Sequence, residues 1–547
     1  MAAIEQIQNL AVPRGNELVR LSRGIHITIS TLVNLNILRR ELRDRTVPYL
    51  LLGTLVLLYL HLFIFPFVPI LSWNDQSVYA GNARRMLEGQ VIYRDFFQFT
   101  PPGTELVYFA LFKLLGPRGW IPSAVLILLG LGLTWLSLAI SRKVLSHWAA
   151  LLSALLFLIV AFRSGLNATH HWYSTLAAVG GVAAVITKRS PGRMAVAGAL
   201  CGLALCFTQV RGFAVIGLAV FLLWERRRKN WTWRLLLQLE GCLVASFLAT
   251  VMVFNAYFAW KAGVGRFLAC TVVFGARYYR AIKEVNSLEI YMVPAPQVRA
   301  WYDLPRLFIY VFIHALVPLV YVLFLVRYRR EAQARPQEPW DRLMLLNLVG
   351  LFLFIGVAPS PSAFRLCAVA LPAFILFVWL IGSTGRIQRV LTGCLWAFVL
   401  ILPVASALKT QKSRRAYLDL PSGRTAFLDP AWYDRCKWVF DHTQPLDFFF
   451  DGSGGVFYFV LGLRNPTPVP FLTPTDYTRP EQVHDIVVGL ERHRVHYVLW
   501  PSWLDYGDTL YPSHDHLGPL RVYIHAHYHV VKTFWAYDYD QVWERNE

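Results

Sequence analysis

The chain has 547 residues, of which 56% are hydrophobic and 16% are charged, and its mean hydropathy is +0.43. Soluble proteins average about 45–50% apolar and about 25% charged residues. The composition therefore excludes an ordinary soluble enzyme, a disordered chain and a disulfide-rich secreted domain. The net charge of +20 is typical of proteins that bind polyanions or acidic lipids, and of membrane proteins with basic cytoplasmic loops.

The position of the charge along the chain separates these classes. Residues 409–547 contain 14 basic and 17 acidic residues, whereas residues 1–408 contain 39 basic and 16 acidic residues. The basic excess thus lies entirely in the apolar part, where Lys and Arg interrupt hydrophobic runs. This pattern argues against nucleic acid as a partner and indicates the cytoplasmic loops of a polytopic membrane protein that contacts membrane lipids.

Apolar runs that approach the length of a bilayer crossing predict about eleven transmembrane helices. Basic connections alternate with connections that contain a single Arg, and the positive-inside rule therefore places the N-terminus in the cytoplasm. The predicted fold class is a polytopic α-helical membrane protein. The runs are 48–71, 121–140, 147–163, 172–187, 194–208, 212–224, 235–260, 307–327, 343–357, 365–382 and 389–407.

The predicted topology divides the chain into three parts. Residues 1–47 form a polar cytoplasmic arm without a cleavage site, so the first helix is an uncleaved anchor. Residues 48–408 form a transmembrane module with outer loops at 72–120 and 261–306. Residues 409–547 alternate between strand and helix signals, and they predict a soluble extracytoplasmic α/β domain. The exact number of spans in 194–224 and 343–382 is open, because each is either one long helix or two short ones.

Two acidic residues of the first outer loop are candidates for acid–base chemistry. Asp75 follows the first apolar run and begins a predicted amphipathic helix over 76–88, on the membrane surface. On local sequence alone, a helix cap explains Asp75 slightly better than catalysis does. For Asp95, an ion pair with Arg94 or Arg85 is as good an explanation as a functional role.

Four arginines on the outer side are candidates for binding phosphate, because a guanidinium group binds phosphate through two hydrogen bonds. Arg84 and Arg85 lie on the predicted surface helix, where contact with anionic lipid is the alternative for one of them. Arg211 and Arg365 lie in short breaks between helices, where a charge is costly unless it has a partner or a role.

Histidines and cysteines give a weaker signal. His170 and His171 face outward in the predicted topology and are candidates for proton transfer, although inert interfacial histidines are more common. The seven cysteines are scattered, and no CxxC or other metal-ligand spacing occurs. The sequence therefore predicts no metal site, and ligand spacing gives no support for a divalent metal cofactor.

The first outer loop contains the most specific motif. It resembles the first periplasmic loop of the GT-C membrane glycosyltransferases, in the branch of protein O-mannosyltransferases, aminoarabinose transferases and lipopolysaccharide-core glycosyltransferases. Residues 202–212 and 359–372 are similar to two helix-end motifs of that family, and the tail is similar to its outer α/β domain. The motif reads Asp75-(x3)-Tyr79-(x3)-Ala83-Arg84-(x4)-Gly89-(x3)-Tyr93-Arg94-Asp95-Phe96-(x4)-Pro101-Pro102-Gly103.

The resemblance implies an inverting glycosyltransferase of the bacterial inner membrane, with its C-terminal domain in the periplasm. Such an enzyme moves a sugar from a polyprenyl-phosphate donor to a lipid, glycan or protein acceptor on the outer face. The catalytic acid of the family maps onto Asp75. Many relatives have Asp-Glu at this point, and Gln76 in this chain argues against a two-carboxylate mechanism. Loop 163–171 also lacks the acidic residue that several relatives have there.

The chemistry of this reaction suggests a role for each candidate. A phosphate leaving group needs charge stabilisation more than a proton, whereas the acceptor must lose a proton as it attacks. We therefore expect Asp75 to act as the general base. The other expected roles are phosphate binding by Arg84 or Arg85 together with Arg211 and Arg365, and ordering of the loop or the sugar by Tyr93 and Asp95.

Two other classes of function stay open on the sequence. A flippase or transporter of lipid-linked sugars is the first, and a noncatalytic protein of envelope assembly is the second. Transporters show internal repeats and charges near the middle of the membrane, and no convincing repeat is found here. The acidic candidates cluster in an outer loop, which favours chemistry on that side of the membrane.

Overall fold

The computed structural model describes residues 45–72, 75–279, 296, 298, 303–382, 385–506, 512–535 and 539–547. Most of the predicted arm 1–47 and most of the second half of the predicted loop 261–306 lie outside the described residues. The chain divides into two compact units, residues 1–53 and residues 54–547. The first helix begins in the first unit, and every site discussed below lies in the second.

The described residues before residue 413 are mostly helical. Charged connections and short polar turns separate its helices. They are α1 (Thr46–Leu62), α2 (Asp75–Leu87), α3 (Gly103–Leu115), α4 (Ile121–Ser141), α5 (His147–Gly165), α6 (His170–Val185), α7 (Pro191–Phe207), α8 (Phe213–Lys229), α9 (Trp233–Ala262), α10 (Val264–Leu268, continued by the π-helical turns Ala269–Phe274), α11 (Leu304–Glu331), α12 (Trp340–Val357), α13 (Ala363–Val369), α14 (Leu371–Ile381) and α15 (Arg386–Lys412).

Six of these helices are long and apolar enough to cross a membrane: α4, α5, α9, α11, α12 and α15. The pair α13 and α14, bent by 70°, would make a seventh span, and α1 and α7 are shorter apolar helices. These helices indicate an integral membrane protein. Each of the eleven apolar runs contains a helix, but the number of eleven crossings stays a prediction.

Residues 194–224 form two helices rather than one. Helix α7 ends at Phe207, a 3-10 turn covers Gln209–Gly212, and α8 begins at Phe213. Helix α7 packs closely against α9. A Cβ atom on Gly198 would lie only 2.0 Å from the Leu243 carbonyl oxygen, so only glycine allows this approach. Small residues at such contacts allow the backbones of membrane helices to approach each other.

The predicted first span is too long by nine residues. Helix α1 ends at Leu62, and the chain then forms a short antiparallel hairpin of β1 (Phe63–Ile64) and β2 (Val68–Pro69). Proline at 66 cannot continue a helix because it lacks the backbone N–H and its ring clashes with the preceding turn. The hairpin leads to Leu71, whose N–H donates to the Ala426 carbonyl at 2.9 Å.

The tail forms a hairpin and a four-stranded mixed sheet with helices on both faces. The sheet order is β5-β6-β8-β7, in which only β5 and β6 are parallel. The elements are β3 (Ala416–Leu420), β4 (Gly423–Phe427), α16 (Pro430–His442), β5 (Phe449–Asp451), α17 (Val456–Val460), α18 (Pro480–Arg492), β6 (Tyr497–Pro501), α19 (Gly518–His527), β7 (Tyr528–Phe534) and β8 (Asp540–Arg545).

Alternate residues of the central strand β6 enter two different cores. Val498 and Trp500 pack with the buried side chains of α18 and α19, whereas Leu499 belongs to the core that contains Cys436 of α16. The alternation of strands and helices that the sequence predicts for the tail is present after residue 447. The hairpin of β3 and β4 and the helix α16 were not predicted.

Candidate active site

Three breaks between helices and the first outer loop meet around one cavity of about 370 Å³. The breaks are those before α6, between α7 and α8, and between α12 and α13. The lining is mainly apolar, with polar groups from each break. The polar and aromatic residues at the cavity are Phe99, Thr100, His170, His171, Thr208, Gln209, Thr271, Tyr279, Ser360 and Arg365.

Arg365 is held in a fixed orientation at this cavity. Ser362 caps α13, and its hydroxyl accepts the Arg365 backbone N–H at 3.4 Å. The guanidinium Nη1 donates to the Ser360 carbonyl at 3.1 Å and to the Ser360 hydroxyl. Its Nη2 donates to the Tyr279 hydroxyl at 2.7 Å. These contacts fix the guanidinium group of Arg365 in the wall of the cavity.

His170 and His171 begin α6 with their rings 4.0 Å apart. The Nδ1 atom of His170 and the Tyr79 hydroxyl share a hydrogen bond of 2.5 Å, which joins α6 to α2. The Thr208 hydroxyl donates to the His170 carbonyl at 3.2 Å and so joins α6 to the break after α7. Both histidines are thus parts of the cavity wall.

Arg211 is fully buried in the break between α7 and α8. None of its three guanidinium nitrogens has a hydrogen-bond partner within the described part of the chain, and no carboxylate there lies within 4.0 Å. Its charge acts on Arg365 and on His170, so it lies close behind the cavity wall. A buried cation without a partner is costly, so Arg211 is a candidate for binding an anionic ligand.

Asp75 begins α2, where part of its surface is open to solvent and part is covered by protein. It does not line the 370 Å³ cavity, but its carboxylate is close enough to Arg365 for the two charges to interact. Surrounding protein removes part of its solvation and raises the pKa of Asp75, and the positive charge of Arg365 partly offsets that rise. Burial and a nearby opposite charge are the usual opposing influences on a carboxylate.

Gln76 fixes the start of α2 against the loop that precedes α6. The Gln76 side-chain carbonyl accepts the Ala168 N–H at 2.9 Å, and the Gln76 N–H donates to Asn167 Oδ1 at 3.2 Å. Gln76 is therefore a structural contact between α2 and the loop before α6. It positions Asp75 relative to His170 without adding a charge.

Arg84 and Arg85 lie elsewhere. Helix α2 is not on a free surface, because its residues from Gln76 to Ala83 are mostly buried and it packs against α3 and α17. Arg84 pairs with Glu88 at 3.7 Å, and Arg85 donates to the Thr467 carbonyl at 2.9 Å. The structure therefore brings Arg211 and Arg365 together but separates them from Arg84 and Arg85. Amphipathic spacing in α2 gave no sign that the tail covers it.

Tyr93 and Asp95 order the loop between α2 and α3. Tyr93 is fully buried at a positive φ of 69°, and its hydroxyl donates to the Thr100 carbonyl at 2.7 Å. Asp95 pairs with Arg94 through two bonds of 2.9 and 2.8 Å and accepts the Val91 N–H at 2.6 Å. These ion-pair and backbone contacts lower the pKa of Asp95. The structural alternative for Asp95 is thus the one observed.

Several residues near the site had no place in the sequence-based prediction. Tyr279 holds Arg365, and Tyr477 of the tail packs against Tyr279 and Phe99 with ring centroids 6.4 and 6.2 Å away. Glu105 is fully buried on α3, and burial raises its pKa to about 7. A lone acid in the apolar helix α3 was a usable signal for Glu105, whereas nothing in the sequence marks the two tyrosines.

No group of three or more His, Cys, Asp or Glu side chains that could hold a metal ion occurs in the described ranges. Among the described residues, Arg365 is the charged group whose effect on the Asp75 carboxylate is resolved. The chemistry that this arrangement supports is proton transfer to one carboxylate beside two guanidinium groups, Arg211 and Arg365.

No protein-family model matches the sequence, and no curated protein matches it by sequence. The structure does match that of ArnT from Cupriavidus metallidurans bound to undecaprenyl phosphate. That match has a TM-score of 0.54 and 14% identity, and it covers 91% of this chain and 97% of ArnT. The chain has the GT-C fold. The fold expected from the first outer loop is thereby confirmed.

A second GT-C structure was also found, at a lower similarity. It is the oligosaccharyltransferase AglB from Archaeoglobus fulgidus in complex with an inhibitory peptide and a dolichol-phosphate. The match has a TM-score of 0.45 and 13% identity, and it covers 84% of this chain and 70% of AglB. The assignment of the GT-C fold rests on the ArnT match, because that match spans nearly the whole of both chains.

Proposed function

We propose that this protein is an inverting glycosyltransferase that takes a sugar from a polyprenyl-phosphate donor. The acceptor is a lipid, glycan or protein on the outer face of the bacterial inner membrane. The observation that carries the proposal is the position of Arg365 in the wall of a mainly apolar cavity of about 370 Å³. Asp75 and the buried Arg211 lie close enough to Arg365 for their charges to interact with it. The GT-C fold supports the same reading, since ArnT with that fold was crystallised with undecaprenyl phosphate.

The proposed reaction is a single displacement at the anomeric carbon C1 of the donor sugar. The acceptor hydroxyl or amine forms a bond to C1, and the bond from C1 to the phosphate oxygen breaks on the opposite face. The acceptor proton passes to the Asp75 carboxylate, and both electrons of the broken bond leave with the polyprenyl phosphate. One base is sufficient, because phosphate leaves without the proton that an alkoxide leaving group needs.

In this reaction Arg211 and Arg365 stabilise the phosphate leaving group. Charge grows on the phosphate as the bond to C1 breaks, and fixed cations in a water-poor cavity stabilise such charge strongly. Arg365 is already oriented by Ser360 and Tyr279, so little reorganisation is required when the donor binds. The apolar lining of the cavity suits the polyprenyl chain.

The first test of this function is transfer itself. Wild-type protein in proteoliposomes, given a polyprenyl-phosphate donor with a radiolabelled sugar and an envelope extract, is expected to label an acceptor and release polyprenyl phosphate. The anomeric configuration in the product, measured by NMR, is expected to be opposite to that in the donor. Movement of intact donor across the vesicle membrane without transfer would contradict the proposal and would favour a flippase.

The pH dependence of transfer tests the pairing of Asp75 with Arg365. Asp75 must be ionised to accept a proton, so the rate falls as the pH drops through its raised pKa. In Arg365→Gln the positive charge that favours the ionised form is lost, and the acidic limb of the rate profile is expected to move to higher pH. Arg365→Lys keeps the charge and is expected to leave the limb in place, although both variants lower the rate. An unmoved limb in Arg365→Gln would contradict this pairing.

A further inference from the structure

A second and larger cavity, of about 720 Å³, lies beside the C-terminal end of α2. The tail supplies its other walls, from the segment between α17 and α18 and from α18 itself. We refer to it as the arginine cavity, because six arginines and three carboxylates line it. These charged residues are Arg84, Arg85, Arg94, Arg266, Arg464, Arg492, Glu88, Asp95 and Asp485.

The carboxylates neutralise only some of the arginines. Arg94 is paired with Asp95 at 2.8 Å. Glu88 is shared between Arg84 at 3.7 Å and Arg464 at 3.3 Å, so a single negative charge faces two positive ones.

The remaining arginines have no acidic partner. Within the described part of the chain, no carboxylate lies within 4.0 Å of Arg85, Arg266 or Arg492. Arg266 and Arg492 are exposed, one on α10 and one at the end of α18. The arginine cavity thus has an excess of positive charge, with six arginines against three carboxylates.

Arg85 contributes a positive charge whose position in the wall of the arginine cavity is fixed. Its guanidinium donates to Gln90 Oε1 at 2.7 Å and to the Thr467 carbonyl at 2.9 Å, and it stacks over the Phe96 ring at 4.6 Å. Burial lowers the pKa of Arg85 to about 10, so the group stays charged at neutral pH. Its direct hydrogen-bond partners are neutral, and Glu88 and Asp95 act on its charge only from beyond ion-pair distance. The position of Arg85 is thus fixed while much of its charge is left for a ligand.

We propose that the arginine cavity binds a phosphorylated saccharide segment of the acceptor. Guanidinium groups match phosphate in geometry and charge, and 720 Å³ lies within the range of pockets that enclose ligands of several hundred daltons. The inference rests on the proposed glycosyltransferase function. Asp75 and Arg85 are ten residues apart on α2, or about 15 Å, so the phosphate recognised here is not the acceptor group that attacks C1.

Binding is measured first with soluble probes, by titration calorimetry on the full chain in nanodiscs of zwitterionic lipid. Glucose 6-phosphate is expected to bind, glucose is expected not to bind, and inorganic phosphate is expected to bind more weakly than glucose 6-phosphate. The affinity should fall with added salt, because exposed charges are screened. Equal binding of glucose and glucose 6-phosphate would overturn the proposal, and so would inorganic phosphate binding as tightly as glucose 6-phosphate.

Variants then assign the binding to the arginine cavity. The double variant Arg266→Ala/Arg492→Ala removes two exposed side chains, and it is expected to weaken glucose 6-phosphate binding at least tenfold. The matched control is Arg118→Ala, an exposed arginine of the same outer loop outside the cavity, which should bind as wild type does. An unchanged affinity in the double variant would overturn the proposal.

A membrane lipid is the other source of phosphate. In nanodiscs that contain phosphatidylglycerol, glucose 6-phosphate is expected to bind as it does in zwitterionic ones. Complete loss of binding there, with recovery only when the anionic lipid is removed, would assign the arginine cavity to lipid headgroups and overturn the proposal.

Transfer kinetics separate this inference from the proposed function. In the double variant the KM for a phosphorylated acceptor is expected to rise about tenfold, while the KM for the donor stays the same. An unchanged KM for the acceptor would contradict acceptor binding in the arginine cavity, but it would not contradict the proposed glycosyltransferase function. Absence of transfer in wild type, with arginine-dependent binding of glucose 6-phosphate still present, would instead remove the proposed function.

Discussion

Asp75→Asn is expected to lower the rate of sugar transfer by about 10²–10⁴-fold, the usual contribution of a general base. The amide has nearly the same shape as the carboxylate but cannot take the acceptor proton. Because Asp75 is partly open to solvent at the start of α2, the variant is expected to fold and to keep the thermal stability of wild type. The measurement is the initial rate of radiolabel transfer in proteoliposomes.

The control for this prediction is Asp95→Asn in the same outer loop. Asp95 is paired with Arg94 and holds the Val91 N–H, so its loss is expected to loosen the loop and lower transfer by less than tenfold. Equal losses in the two variants would indicate that the first outer loop needs carboxylates for its structure alone. A wild-type rate in Asp75→Asn would remove Asp75 from the mechanism.

Arg211→Met is the second variant with a large expected effect. A methionine fills the buried site without a charge, and it removes the desolvation cost of a buried cation, which is on the order of several kcal/mol. We therefore expect an equal or higher melting temperature together with at least a 100-fold loss of transfer, because charge stabilisation of the leaving phosphate is lost. Thermal unfolding and transfer are measured on the same preparation.

The combination of results in Arg211→Met separates function from structure. A lower melting temperature with a proportional loss of activity would show that Arg211 stabilises the folded protein and has no direct role in transfer. Arg211→Lys is the matched variant, since it keeps the charge but not the bidentate geometry. It is expected to retain more transfer than Arg211→Met.

Apolar runs separated by basic residues were sufficient to predict a helix in each of the eleven runs within residues 48–408. Helix α4 and helix α12 begin or end within a few residues of the predicted bounds, because apolar length and flanking charge are local properties. The error at α1 has a local cause as well: residues 63–71 are apolar, and hydropathy does not distinguish a short hairpin from a helix.

Only part of the candidate site could be predicted from the sequence. Arg211 and Arg365 each lie in a polar break between apolar helices, and this shared feature marked both as candidates. In the structure their charges interact, and Arg365 lines the cavity. The separation of Arg85 from that cavity depends on the tail segment that supplies the Thr467 carbonyl. Contacts across 382 residues of sequence leave no periodic signal, so the sequence alone did not reveal the arginine cavity.

The most direct test of the central claim is a single-turnover experiment with Asp75→Asn. The variant is saturated with a radiolabelled polyprenyl-phosphate sugar, donor binding is measured, and an acceptor extract is then added. We expect the variant to bind the donor as tightly as wild type within about threefold and to transfer almost no sugar on the timescale in which wild type completes its turnover. Transfer by Asp75→Asn at the wild-type rate would contradict the account.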